Sequence, residues 1–458
     1  MNELPRAIPA SYRDPAGFIF QQEGLVFRQV NAAGQAGYEA LMQSGLYAFL
    51  TGKKWLIPHT ERNDLPGNTG AYKVLQPEQL AFTGYAYEWS FSMLQDAALL
   101  TLRIARAALD HGLILKDATP FNVQFHKGAM TFIDTLSFAP YTAGQPWIAY
   151  RQFCESFLSP LLLMHYQKQH LPALPLAWPE GIPLQLASQL LPFKSRLSML
   201  TYLHIHLHAK MAAKKKGSSN RTAVLPKNKL TGLLSSLELL VQSLRCTNRD
   251  TTWGDYYQEA ATRADYLDQK NNIISQWTKE LTGIKTAVDF GANEGNFSLP
   301  LAERSIHTIA ADADPVAINT LYEKIRGTGF DHIHPLIIDF TYPSPAIGTG
   351  NTERASFLQR LGQRDLGYCL AFIHHLCIGK NIPLQKLAAL LAASCQLLLI
   401  EFVPKTDEKV QILLQQKEDI YPDYHAAGFE EAFSTCFRLE KTAAIPGSTR
   451  TLYLMRRK

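Results

Sequence analysis

At 458 residues the chain exceeds what one ordinary core organises, so two or three domains are expected. Its 46% hydrophobic and 19% charged residues are those of a globular protein, and a net charge of +5 is too mild to indicate a nucleic-acid binder. Six cysteines with no C-x-x-C pair fit a reducing compartment and argue against a cysteine-held zinc.

In chain order, "MNELPRAIPASYRDP" lacks the basic-then-apolar pattern of a secretory signal, so a cytoplasmic protein is expected. Up to about Pro140, short β-rich runs ("FIFQQEGLVFRQV", "KWLIPH", "AYKVLQ") surround longer helical segments. From Pro146 to about Leu244 the patterns are mostly helical. "HIHLH" puts His204 and His208 on one helical face, but no Cys or acid stands nearby to complete a metal set, and a helix surface is the plainer reading. Lys210 to Lys229 carries no acidic residue and includes Gly-Ser-Ser-Asn. A solvated basic loop is expected there; the sharper alternative is a grip on an anionic substrate or membrane surface. From about Trp253, helices alternate with short apolar strands, the pattern of an open α/β sheet. The most apolar run, "LAALLAASCQLLLI", is shorter than the roughly 20 residues of a membrane span and reads as a buried helix entering a strand.

In the first part, "LILKDATPFNVQFHKGAMTFIDTLSF" sets Asp117 and Asn122 in D-x-x-x-x-N, then a hairpin-like stretch, then Asp134 in "FID". This resembles the catalytic and metal-binding loops of protein-kinase-like folds, over about residues 1–240. The resemblance implies that Asp117 faces a hydroxyl and that Asn122 and Asp134 hold magnesium with ATP. Upstream, "GFIFQQEGLVFRQV" would supply small-lobe strands, "YEALMQSGLYAFL" the neighbouring helix, and "SMLQDAALLTLRIARAALDHG" the long helix before the loop. The departures are plain. "DPAG" replaces a glycine-rich loop, Leu115-Lys116 replaces His-Arg, and "IDT" lacks Phe-Gly. Arg28 stands where the strand lysine would be, with Glu39 as its possible partner. A recognition or nucleotide-binding module that has lost or altered phosphotransfer is expected.

In the second part, successive apolar runs end in polar groups. "KTAVDF" brings Asp289 and Phe290 into Gly291, Ala292, Asn293 and Gly295; "HTIAAD" ends at Asp312 before Ala313; "PLIID" ends at Asp339 before Phe340. "LGYCLAFIHHL" places His374 and His375 at a strand end, and "CQLLLIEF" delivers Glu401. In an open parallel sheet, ligands bind beyond the carboxyl ends of the strands, so these groups would share one edge. A dinucleotide needs G-x-G-x-x-G, whose third glycine is missing here. Asn293 tolerates a left-handed backbone and suits a turn that no pyrophosphate approaches.

"VDFGANEGNFS…HTIAADADP…PLIID" resembles the class I S-adenosylmethionine-dependent methyltransferases. The resemblance implies Asp289 and Gly291 at the methionine end of that cofactor, Asp312 at the ribose and Asp339 with Phe340 at the adenine. Phe290, Ala292, Asn293, Gly295 and Ala313 would complete the cradle. Asp314 competes for the ribose; Asp312 is preferred because it ends the strand directly. "TTWGDYY", "IHHL", "EFVPKTD" and "STRTLY" are similar to a bacterial group described as nodulation-protein-like methyltransferases.

The expected fold class is α/β. A Rossmann-like methyltransferase sheet with a terminal antiparallel hairpin over 250–458 follows an α+β kinase-like domain over 1–240 that includes the basic loop 210–229. The expected function is methyl transfer to a hydroxyl or amine of a small molecule or carbohydrate-like metabolite. His374, His375 and Glu401 are the candidates at the acceptor, and Tyr256 and Tyr257 form a lid or pack in the core. A non-catalytic cofactor- and ATP-binding recognition module, a kinase-like phosphotransferase fused to a methyltransferase, and an NAD-dependent oxidoreductase are the alternatives. No nucleic-acid partner and no membrane span are expected.

Overall fold

The computed structural model describes residues 7–65, 67–68, 70–214, 225–247, 264–415 and 417–458. Tyr256 and Tyr257 lie outside the described residues, as does 215–224 of the expected basic loop. The flanks of that loop are helical, in His208–Lys214 and Lys227–Ser243. The chain divides into two units, Met1–Asn248 with Ala346–Ala355, and Arg249–Pro345 with Ser356–Lys458.

The first unit begins with β1 (Gly17–Gln22) and β2 (Leu25–Asn31), joined through Glu23 and Gly24. Both joining residues have positive φ (+51° and +79°), the backbone a two-residue hairpin turn requires. With β3 (His59–Glu61) and β4 (Ala71–Pro77) they form an antiparallel sheet in the order β1-β2-β4-β3. The stretch expected as one helix is two, Gln35–Gln43 and Leu46–Gly52, because Gly45 at φ +79° breaks it. The helix Phe91–Asp110 is buried along most of its length. It leads through β5 (Leu113–Leu115) to the hairpin of β6 (Val123–His126) and β7 (Ala129–Phe132), and then to β8 (Phe138–Pro140), which pairs with β5. The Lys227–Ser243 helix packs on the Phe91–Asp110 helix, and Gln95 Nε2 donates to the carbonyls of Val241 and Leu244 at its end.

Residues 346–355 complete this unit. Glu353, buried, accepts from Arg13 Nη2 at 2.8 Å, and the Arg354 guanidinium lies 3.5 Å from the centre of the Phe121 ring.

The second unit is a seven-stranded sheet: β9 (Thr286–Phe290), β10 (His307–Asp312), β11 (Ile333–Ile337), β12 (Arg364–Cys369), β13 (Cys395–Phe402), β14 (Phe437–Ala444) and β15 (Thr451–Arg457). The order is β11-β10-β9-β12-β13-β15-β14. The pairs from β11 to β13 are parallel, while β15 is antiparallel to both β13 and β14. Central strands buried on both faces explain the unbroken apolar runs such as "LLLI". The strand order reverses between β9 and β12, which opens a crevice at their carboxyl ends. Among the described residues no helix is long and apolar enough to cross a membrane.

Candidate functional site

The loop after β9 is held shut against β10. The N–H groups of Gly291 and Ala292 both donate to the Ala311 carbonyl, at 2.9 and 3.0 Å. They are therefore not turned outward as an anion nest. Gly291 has φ +85°, and a Cβ there would meet the Phe372 ring at 2.8 Å; only glycine fits. Asn293 does occupy the left-handed region, at φ +48°, with its side-chain oxygen accepting from Glu294 N at 2.7 Å.

Carboxylates converge on this loop. Asp312 Oδ2 accepts from Asn293 N and its Oδ1 from Asp314 N, each at 2.8 Å. Asp289, 2% exposed, accepts from the Ser298 hydroxyl at 2.6 Å. Burial pushes the Asp289 carboxyl up to about 7, against the Ser298 hydrogen bond and with Asp312 adding to the rise. Burial likewise pushes Asp312 up to about 6, although backbone N–H groups favour its charged form. Asp339 Oδ1 accepts from the backbone N and hydroxyl of Thr341, at 2.8 and 2.5 Å. Asp314 faces away, as the N-cap of the helix Pro315–Ile325. Phe340 packs among Phe290, Phe357 and Phe372 with ring centres 5.0 to 5.9 Å apart.

Asp289, Gly291, Asn293, Asp312, Ala313, Asp339 and Phe340 line one cavity of about 340 Å³. Phe290, Ala292 and Gly295 do not line it. His375 lines the cavity, half-buried; burial pushes its imidazole down to about 4, so it is neutral at physiological pH. His374 does not line it. It is 1% exposed, its Nδ1 has no hydrogen-bond partner, and burial drives its pKa well below the ordinary value. Neither histidine is at the strand end, because β12 stops at Cys369 and Ala371 turns the chain at φ +50°. Both sit in the helical turn that follows.

Glu401 is not on the rim where the sequence placed it. Fully buried, it accepts from Lys270 Nζ and the Tyr266 hydroxyl, both at 2.6 Å, with Arg450 Nη1 at 3.4 Å. Burial would raise its pKa, but the two cations hold it down to about 2. Arg450 in turn grips both oxygens of Asp407 at 2.8 and 3.1 Å. Lys270, 2% exposed, stands between Glu401 and the cavity, which it lines, with its ammonium 4.8 Å from the centre of the Phe297 ring. Lys270, Phe297, Thr341, Ala371, Phe372 and Lys380 line the cavity without having been expected there.

In the first unit Asp117, Asn122 and Asp134 are brought together. Asn122 Nδ2 donates to Asp117 Oδ2 at 3.1 Å and meets the Ser137 hydroxyl at 3.2 Å, and that hydroxyl donates to Asp134. Asp117 Oδ1 is buried without a hydrogen-bond partner, and burial raises its carboxyl. Arg28 pairs with Asp134 rather than with Glu39, which accepts from Gln35 and Tyr72. Against the cost of burial, Arg28 keeps Asp134 below its ordinary pKa. His204 bridges the Tyr150 and Ser236 hydroxyls, and among the described residues no cluster is suited to hold a metal.

The sheet order and the acid-lined crevice define an open α/β unit with a ligand-sized cavity at its strand ends. No family model matches the chain. It is 32% identical to the nodulation protein NoeA of Rhizobium meliloti (strain 1021) over 471 residues, covering 99% of this chain and 96% of that protein. The chain belongs to the NoeA family. Solved structures show slighter likeness. The bifunctional kinase-methyltransferase WbdD is 17% identical at a TM-score of 0.29, over 43% of this chain and 39% of its own. The magnesium protoporphyrin IX methyltransferase ChlM of Synechocystis PCC 6803, with bound S-adenosylhomocysteine, is 14% identical at 0.32, over 46% of this chain and 89% of its own. The N-methyltransferase NodS of Bradyrhizobium japonicum WM9 is 12% identical at 0.32, over 42% of this chain and 96% of its own. Likenesses of this degree assign neither fold nor activity.

Proposed function

We propose that the second unit binds S-adenosylmethionine and transfers its methyl group to a hydroxyl or amine of a small molecule or carbohydrate-like metabolite. One observation carries the reading: acids from the ends of three adjacent parallel strands, Asp289, Asp312 and Asp339, line a single cavity. Such a set suits a ligand bearing a cation, ribose hydroxyls and an adenine. A pyrophosphate would be repelled by the acids and would find the first two loop amides already engaged.

When bound, the cofactor would supply a methyl carbon open to in-line attack by an acceptor lone pair, its sulfonium leaving as a neutral thioether. In this reading Asp312 takes the ribose hydroxyls, Asp339 and Phe340 the adenine, and Asp289 and Gly291 the methionine end. His375, which lines the cavity, is placed to take the acceptor's proton, but burial weakens it as a base, so alignment supplies most of the acceleration. His375→Ala is then expected to lower turnover about a hundredfold with cofactor affinity unchanged. His374→Ala should lower the melting temperature instead. Transfer of labelled methyl into a cell extract measures the first, and full turnover by His375→Ala would remove that residue from the chemistry.

The raised carboxyls give the binding a pH dependence. Their folded pKa values, about 7 and about 6, lie above the ordinary 3.8. Their contribution to stability is thus fully present below about 3.8 and lost progressively as pH rises from there through about 6 and about 7. A ligand that needs both ionised should bind more tightly over the same interval, by about tenfold or more between pH 5.5 and 8. Calorimetric titration with S-adenosylhomocysteine tests both points. No heat at pH 8 would end the methyltransferase reading, and a flat pH profile would detach these two acids from it.

For the first unit the better-supported role is recognition without phosphotransfer. The Asp134 oxygens already receive Arg28, Ser137 and the Leu136 N–H, so magnesium would have to displace an arginine. The residues as arranged do not fit a magnesium-held ATP.

A further inference from the structure

The first unit exposes an apolar surface that its own fold does not cover. Phe193, Leu197 and Met199 are 74%, 77% and 78% exposed within seven residues of chain. Tyr202 and Leu203, also exposed, follow one turn after Met199 on the same side of its helix. The segment is not loose. Ser195, between the exposed residues, is fully buried; its hydroxyl meets His206 Nε2 at 2.9 Å, and His206 Nδ1 meets the Ser188 hydroxyl at 2.8 Å. That buried chain pins the turn, so Phe193 and Leu197 are held outward on either side of it.

The stretch of chain that carries the patch is one-sided in charge. Residues 181–237 contain nine Lys and Arg and no Asp or Glu, so the rest of a chain with net charge +5 is itself acidic. Lys194, Arg196 and Lys210 are exposed among or beside the apolar residues. Aliphatic and aromatic side chains standing out of a basic surface match a bilayer interface, where side chains enter the acyl boundary and cations meet phosphates. A nucleic-acid surface would offer cations without protruding Leu and Met. We infer that this surface docks the protein on an anionic membrane, with Phe193, Leu197 and Met199 inserted and Lys194, Arg196 and Lys210 at the headgroups.

Flotation of the full chain with vesicles tests this, using phosphatidylcholine alone or with about one third phosphatidylglycerol. The expected result is binding to the anionic vesicles at low salt, weakened by added salt. Phe193→Ser/Leu197→Ser/Met199→Ser and Lys194→Glu/Arg196→Glu should each cut the bound fraction about tenfold. Both change only exposed side chains, so an unaltered thermal melt should accompany the loss. No flotation at low salt, or equal flotation by the variants, would overturn the proposal. So would a dimer in light scattering that the apolar variant dissociates, which would give the face to a second copy, or tighter salt-dependent binding to RNA or DNA.

Discussion

Replacing Asp312 with alanine is expected to weaken binding of S-adenosylmethionine and its demethylated product about a hundredfold or more, with the second unit still folded. Asp312 ends β10, and each of its oxygens spends one acceptor site on a backbone N–H, from Asn293 and Asp314. The remaining lone pairs belong to a residue that lines the cavity. A hydrogen bond to a charged group is worth about 1.5–3 kcal/mol, so losing two ribose contacts costs on the order of 3 kcal/mol or more. The apo protein loses little by comparison, because alanine also relieves the burial that raises this carboxyl. Asp314→Ala is the discriminating control. It removes a helix cap worth about 1 kcal/mol and should lower the melting temperature while sparing affinity. The opposite pair of results in calorimetry would give the ribose to Asp314.

Glu401→Ala should destabilise the second unit by about 3–5 kcal/mol, the usual cost of breaking a buried ion pair and leaving its partners charged. Here Lys270, nearly inaccessible to water, would be stranded, while Arg450 would lose its contact with Glu401 and keep Asp407. In a unit of this size the melting temperature should fall on the order of 10 °C. Because Glu401 is depressed to about 2, the wild-type contribution persists above its ordinary pKa and is lost only as pH falls through about 2. Lys270→Met combined with Glu401→Leu should recover part of the loss, since an apolar pair of similar volume often equals a buried ion pair. A wild-type melting curve for Glu401→Ala would mean the network carries no stability.

The strand-end acids were legible because a charged residue closing an apolar run of five or six has few places to be except a sheet edge. Asn293 was legible through backbone sterics alone. Glu401 obeyed the first rule and still misled, since nothing in "LLLIEF" reveals that a lysine comes to meet it. That lysine has a faint signal. Tyr266, Lys270, Ile274 and Trp277 recur at helical spacing, which sets one cation in an apolar stripe amid "DQKNN". The histidine pair was misplaced because Ala371, at φ +50°, ends the strand, and alanine advertises no turn. Arg28 was visible as a cation where a lysine would stand. Its partner Asp134 lies 106 residues away, a distance no local pattern spans.

The decapeptide Ala346–Ala355 has a consequence for the gene. Because it completes the first unit from within the second, the chain crosses from one to the other three times. A truncation at Asn248 would strip Arg13 of Glu353 and Phe121 of Arg354, and a product starting at Arg249 would carry a foreign strip in its middle. No single breakpoint divides the reading frame into two pieces that each encode one whole unit.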